Sequence, residues 1–190
     1  MTRKIIYGAS LAAFVAVSIL TLISVVIPRW ASYVEVTKTG PITYNYGLHK
    51  RCSSVTGSCE RFPTYADCHG HDRYFCSMWR SIAFLMSLAL VLEGAIITAF
   101  VAILMGGRVK RENGWKVLVG LVLICAMTQC GAMTLVAYLY DYDDRFFVGW
   151  KLDLSWVMTT VSWSVMLVIA GFVSIAGWVM PPEGGYELLK

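Results

Sequence analysis

Four long apolar runs divide the chain and confine its polar residues to the segments between them. Ile5 to Ile27, Ile82 to Met105, Val117 to Tyr140 and Ser155 to Met180 carry one charged residue among them, Glu93, near the middle of the second run. At about 1.5 Å per residue, each run in helical form covers the roughly 30 Å hydrocarbon core of a bilayer. The pattern predicts four transmembrane spans at 5–27, 82–105, 117–140 and 155–180. The first run exceeds the h-region of a cleaved signal peptide, about 7–15 residues, and no small-x-small site follows it, so it is expected to remain as an anchor. Pro28, Gly106-Gly107 and Pro181-Pro182 stand at span ends as breakers. Gly8, Ala12 and Ala16 recur every four residues, with Ala9 and Ala13 beside them. Such a row lets another helix approach closely where lipid removes the hydrophobic drive. Gly120, Cys125, Cys130 and Gly131 keep part of the third span slim, and Trp156 and Trp178 read as interface anchors of the fourth.

The polar segment 28–80 changes period. Trp30 lies at interface depth, Tyr33, Val34 and Val36 form a β-prone run, and Lys38-Thr39-Gly40-Pro41 reads as a turn. Ile42, Tyr44 and Tyr46 then alternate with polar neighbours, which completes a hairpin. A second hairpin is expected at Cys52 to Cys59, with Val55-Thr56-Gly57-Ser58 at its tip; a bridge between the two cysteines would pin the register of a sheet with little core of its own. Residues 106–116 form a basic connection, 141–154 a short acidic one, and 181–190 a tail.

Composition agrees: 57% of the 190 residues are apolar and 15% charged, which places the chain in the membrane class and leaves room for one domain, 1–190. The net charge of +4 informs only when divided by segment. Arg3, Lys4, Arg108, Lys110, Arg111, Lys116 and Lys190 lie on one side of the four spans, whereas 141–154 carries only Arg145 and Lys151. Basic residues mark the cytoplasmic side, so both termini are expected there, with 28–80 outside at the plasma membrane. Four of the six cysteines (52, 59, 68, 76) fall in 28–80, as an oxidising compartment would favour.

Several families combine four spans with large and small outer loops. Tetraspanins place the large loop between spans three and four, and connexin-type proteins carry three cysteines in each outer loop; neither pattern fits. Trp30, Gly47-Leu48, Cys52, Cys59 and Arg80, directly before the second span, resemble the claudin superfamily signature. His49 stands where that signature has its second Trp, the Cys52–Cys59 interval is short, and Cys68 and Cys76 are additional to the tight-junction claudins. The resemblance implies an all-α membrane fold: a left-handed four-helix bundle capped by a small outer antiparallel β-sheet, mostly from the first loop with one strand from the second. It also implies a structural Cys52–Cys59 disulfide and no enzymatic chemistry.

Cys68 and Cys76 read as a second bridge, with a cross-paired connectivity of the four cysteines as an alternative. Together with His69 and His71 they also supply a zinc-like ligand set, which oxidation outside the cell disfavours. Glu93 in mid-bilayer costs about 2.5–3.5 kcal/mol on insertion scales and should face the bundle. It is expected to be satisfied there by Thr or Ser hydroxyls of a neighbouring span; the alternatives are a cation or proton site, or a contact to a partner's transmembrane helix that Glu93→Gln would weaken. Phe146 and Phe147 at the centre of the second outer loop are candidate protein anchors unless one packs beneath the sheet. Asp141, Asp143 and Asp144 attract cations or pair with Lys50, Arg61 or Arg73 of the first loop. No Ser-His-Asp grouping, phosphate loop or carboxylate pair stands out, so no enzyme, cofactor or nucleic-acid partner is expected. The partners expected are other membrane proteins, a second copy of the chain, and lipids. Three roles follow: accessory subunit of a larger complex, adhesion or barrier protein, and paracellular-type pore. The chain's final Lys190, unlike a hydrophobic terminus suited to a PDZ groove, shifts weight to the first.

Overall fold

The computed structural model describes residues 2–38, 40–69 and 73–180. Four helices long and apolar enough to cross a membrane dominate it: α1 (Thr2–Val26), α3 (Arg73–Met105), α5 (Trp115–Tyr142) and α6 (Leu154–Val179). Between α1 and α3 the chain forms strands β1 (Ala31–Thr37), β2 (Gly40–Tyr46), β3 (Lys50–Ser53) and β4 (Cys59–Arg61), then the single turn of helix α2 (Tyr65–Cys68). A short helix α4 (Arg108–Asn113) joins α3 to α5, and β5 (Trp150–Leu152) precedes α6. The protein is a membrane-spanning four-helix bundle with an antiparallel sheet at one end.

Each helix buries one seam. In α1 the seam is Tyr7, Ser10, Phe14, Val17, Thr21 and Ser24, at alternating three- and four-residue steps, and it faces α6 and α3. Phe14 meets Phe100 of α3 at 5.7 Å, and Ile96, Val122, Ala126 and Met166 fill the core around them. The row of small residues expected to mediate close packing is not part of this seam. Ala9, Ala12 and Ala16 point away from the bundle, and nothing lies within 4 Å of where a Gly8 side chain would sit. Tyr7, Phe14 and Val17 of the seam fill the bundle core with Ala13 packed against them, and Ala9, Ala12 and Ala16 fall on the opposite face.

The second span begins earlier than the hydropathy pattern predicts, at Arg73 rather than Ile82. Residues 73–81 contain no Pro or Gly, and Phe75, Cys76 and Trp79 bury one face of this extension against the sheet. Tertiary packing at helical spacing carries the helix beyond its apolar run.

The sheet has strand order β4-β3-β2-β1-β5, all antiparallel. Both expected hairpins form. Cys52 and Cys59 are direct cross-strand partners and are bridged; Cys68 and Cys76 form the second bridge, which joins α2 to α3. The turn between β3 and β4 needs a left-handed residue, supplied by Gly57 at φ 61°. β5 adds to the free edge of β1 through Ala31–Leu152 and Tyr33–Trp150 pairs, so the segment before α6 completes the sheet. Replacing Cys52 and Cys59 together by serine should cost about 2–3 kcal/mol, the chain-entropy value for so short a loop. Thermal unfolding of the double variant, with disulfide mapping of the remaining pair, checks this.

Candidate functional site

The sheet is fixed to the bundle by an aromatic plug that takes in Trp30 and Leu48, two of the residues that carry the claudin resemblance. Trp30, Leu48, Phe62, Phe75 and Trp79 are buried in one cluster with Ile82, Met86 and Val136 of the helices. The Trp30 indole N–H donates to the Ser24 carbonyl at 2.9 Å, so Trp30 is a core residue and not the lipid-facing interface anchor its position predicts. Gly47 explains itself by sterics: a Cβ there would lie 2.5 Å from the Pro28 Cα, so only glycine lets β2 turn against the end of α1. His49 is exposed, on the groove side of the sheet. Arg80 stands apart from the other motif residues: its neighbour Trp79 enters the plug and Arg80 faces outward.

Phe146 belongs to the plug. Its ring meets Trp150 at 5.6 Å, Tyr140 at 6.0 Å and Trp79 at 6.4 Å, which removes it from the list of exposed anchors. Phe147 remains 55% exposed, with one ring edge on Tyr33 at 5.1 Å. Of the expected interface tryptophans, Trp178 is exposed, whereas Trp156 packs against the plug.

The far end of the sheet exposes apolar residues at each of its three turns. β1 starts at the bundle with Ala31, so the β1–β2 turn lies at the end away from the helices; beside it Val36 is 85% exposed. Ser54 N–H donates to the Thr43 carbonyl, which puts the β3–β4 turn and its exposed Val55 on the same side. The loop entering β5 reaches that side too, with Phe147 and a 99% exposed Val148.

Two ion pairs tie the loops together, one with the acid on the second loop, as expected for the acidic group there, and one with the signs reversed. Arg29 Nε donates to Asp153 Oδ2 at 3.0 Å, and Arg145 lies 3.9 Å from Asp67 and 4.1 Å above the Phe75 ring. Asp143 instead accepts the Arg145 backbone N–H at 3.0 Å, closing a local turn. Burial alone would push the Asp67 carboxyl up, but hydrogen bonds from the Thr64 hydroxyl and backbone N–H, with Arg145 and Arg51 nearby, hold it below the usual range.

Inside the membrane, Glu93 is buried and faces α5. Gln129 Nε2 donates to Glu93 Oε1 at 2.7 Å and to Thr21 Oγ1 at 3.2 Å; the Thr21 and Ser162 hydroxyls are 2.7 Å apart. A further step along the α1–α6 contact, Thr159 donates to Ser24 Oγ at 3.0 Å. One polar cluster thus joins all four spans. The sequence singles out Glu93 and hydroxyls for it; Gln129, a lone amide in an uncharged span, is the residue it passes over. Cys125 is buried next to this cluster, its thiol donating to the Ala89 carbonyl at 3.7 Å.

The zinc alternative fails on chemistry. Cys68 and Cys76 are bonded to each other and have no thiolate to offer, the His69 ring is stacked on Tyr65 at 3.6 Å, and His71 lies outside the described residues. The tail 181–190 lies outside them as well. No family model matches the chain, and no curated protein matches it either.

Proposed function

We propose that the protein is a non-enzymatic, claudin-like component of the plasma membrane that acts by contact, as an accessory subunit or organiser of a larger membrane complex. In this reading the sheet lies outside the cell, where its two disulfides are stable, and both termini lie in the cytoplasm. The observation that carries the lateral role is the row Ala9, Ala12 and Ala16, turned out of the bundle. A helix that places small residues where its own bundle does not use them offers a partner span a close backbone approach. Glu93 does not serve this contact, because Gln129 and the bundle interior enclose it.

A second reading, adhesion between facing membranes, is favoured by a different observation: Val36, Val55, Phe147 and Val148 all lie on the end of the sheet directed away from the helices. The two readings separate by experiment. The wild type, an Ala12→Leu/Ala16→Leu variant and a Val36→Asp/Val148→Asp variant would be isolated in mild detergent from native membranes. All changed positions are exposed, so stability should shift by no more than about 0.5 kcal/mol per site. The accessory role predicts a larger membrane protein in fixed stoichiometry with the wild type and the valine variant, and its loss from the leucine variant. A self-assembled ladder abolished by the valine changes alone would overturn that role in favour of adhesion.

A further inference from the structure

The β4 edge of the sheet overhangs α3 and leaves a groove of about 700 Å³ between them, lined by His49, Arg61 and Tyr65 above and by Arg80 and Ala83 below. A shallower depression of about 510 Å³ adjoins it along α3, between His69 and the side chains of Arg80, Ser81 and Phe84. Arg80 borders both, so the two form one track under the sheet. Their volumes fall in the range of ordinary ligand sites.

The charge of this track is one-sided. Arg61 and Arg80 contribute two guanidinium groups, and neither has an acceptor among the described residues. The carboxylate on the wall, Glu60, is engaged by Arg51 at 3.0 Å on the other side of its strand pair. Asp67, the acid of α2, is held by Thr64 and faces Arg145. An anion with several oxygens is the complement, since a guanidinium presents a planar fork of donors matched to phosphate or carboxylate.

The lower end of the track is apolar. Arg80 is the last charge before the uncharged run that leads to Glu93. One turn deeper Phe84 is 66% exposed, and Leu88 and Val91 continue the same face of α3 into the hydrocarbon. The exposed ring of Tyr65 sits at the opposite rim, stacked on His69, as aromatic residues do at a membrane interface. The occupant that matches fixed cations above and a helix face of apolar side chains below is amphipathic.

We propose that this groove binds one phospholipid from the leaflet on the sheet side, with its phosphate on Arg80 and Arg61 and an acyl chain along Phe84, Leu88 and Val91. The assignment stands independently of the accessory or adhesion role and of which side of the membrane the sheet faces. Its test uses the full chain purified in detergent, stripped of lipid and titrated with phosphatidylglycerol, with bound lipid counted by native mass spectrometry. The expected result is one tightly held lipid per chain, weakened about tenfold or more by Arg80→Gln, the loss typical of a charged hydrogen-bonding partner. Arg80→Lys should retain part of the affinity, because it keeps the charge and loses the fork. Phe84→Ser should weaken a long-chain lipid more than a short-chain one. Intact disulfides and an unchanged lipid-free melting temperature show that each variant is folded; if Arg80→Gln is not, Arg61→Gln on the exposed edge takes its place. Wild-type lipid retention in the folded arginine variant overturns the proposal, as does displacement of the lipid by excess inorganic phosphate, which would mark a site for soluble anions.

Discussion

Replacing Trp30 by alanine should destabilise the protein by about 3–5 kcal/mol, the cost of emptying a large aromatic site in a packed core. Trp30 is fully buried at the junction of bundle and sheet, and three hydrogen bonds converge on it. Its indole donates to the Ser24 carbonyl, its backbone N–H donates to the Tyr46 carbonyl at 2.8 Å, and its own carbonyl accepts the Asp153 N–H at 3.0 Å. Through these it joins the end of α1 to β2 and to the start of α6. Alanine keeps the backbone pair but leaves a cavity bounded by Leu48 and Trp79, residues too constrained by their own neighbours to collapse into it. Trp30→Phe separates the contributions: it retains most of the volume and leaves the Ser24 carbonyl without its indole donor, at about 1 kcal/mol. Thermal unfolding in detergent, followed by limited proteolysis of the sheet, reads both effects. A Trp30→Ala variant within about 1 kcal/mol of wild type would mean that sheet and bundle are held together by the backbone and the disulfides instead, contrary to the packing argument.

Why the sequence betrays some of this architecture and conceals the rest follows from the range of the forces involved. The spans are legible because lipid forbids charge over a fixed length, so Ile5 to Ile27 can be read without knowing what surrounds it. The two hairpins are legible because alternation and turn residues act locally: Gly57 in its positive-φ turn needs only its neighbours. The start of α3 at Arg73 is not local. It depends on Phe75 and Trp79 finding Phe62, which lies on the far side of a turn and a disulfide. The orientation of α1 is hidden for the same reason. A row of alanines reads as a packing face in isolation, and only the competing seam of Phe14, Val17 and Thr21 decides which side enters the bundle. Phe146 and Phe147 are adjacent and chemically identical, yet one fills the plug and the other faces solvent, because β5 sets their directions by pairing with β1. At the candidate site, the charge of Arg80 is visible in the sequence, but the groove around it exists only once β4 and α2 fold over α3.

Gln129→Leu should cost about 2–3 kcal/mol, although the side chain it introduces is better suited to a membrane helix than the one it removes. The loss arises at Glu93. With Gln129 in place the carboxyl accepts a 2.7 Å hydrogen bond inside the bundle; with leucine there, a polar group remains in hydrocarbon without that donor. Interhelical hydrogen bonds in membranes average only about 0.6 kcal/mol in double-mutant cycles, because the separated spans find other partners. Losing a carboxyl's amide donor differs from losing a neutral pair, since its insertion cost of about 2.5–3.5 kcal/mol is then offset only by the Thr21 hydroxyl. The thermodynamic cycle is therefore expected to be strongly non-additive. Glu93→Gln should be close to neutral, because an amide oxygen can still accept from Gln129. The double variant Glu93→Leu/Gln129→Leu should recover most of the stability that Gln129→Leu loses, as apolar replacement of both partners removes the carboxyl that has lost its amide donor. Reversible unfolding of the four proteins in mixed detergent micelles measures the coupling. Changes that add within about 0.5 kcal/mol would show that Glu93 and Gln129 act independently. The same enclosure weighs against the alternative of Glu93 as a partner contact: with the carboxyl facing Gln129, Glu93→Gln should leave any co-purifying membrane protein in place, and loss of that protein would mean that the carboxyl reaches outside the bundle.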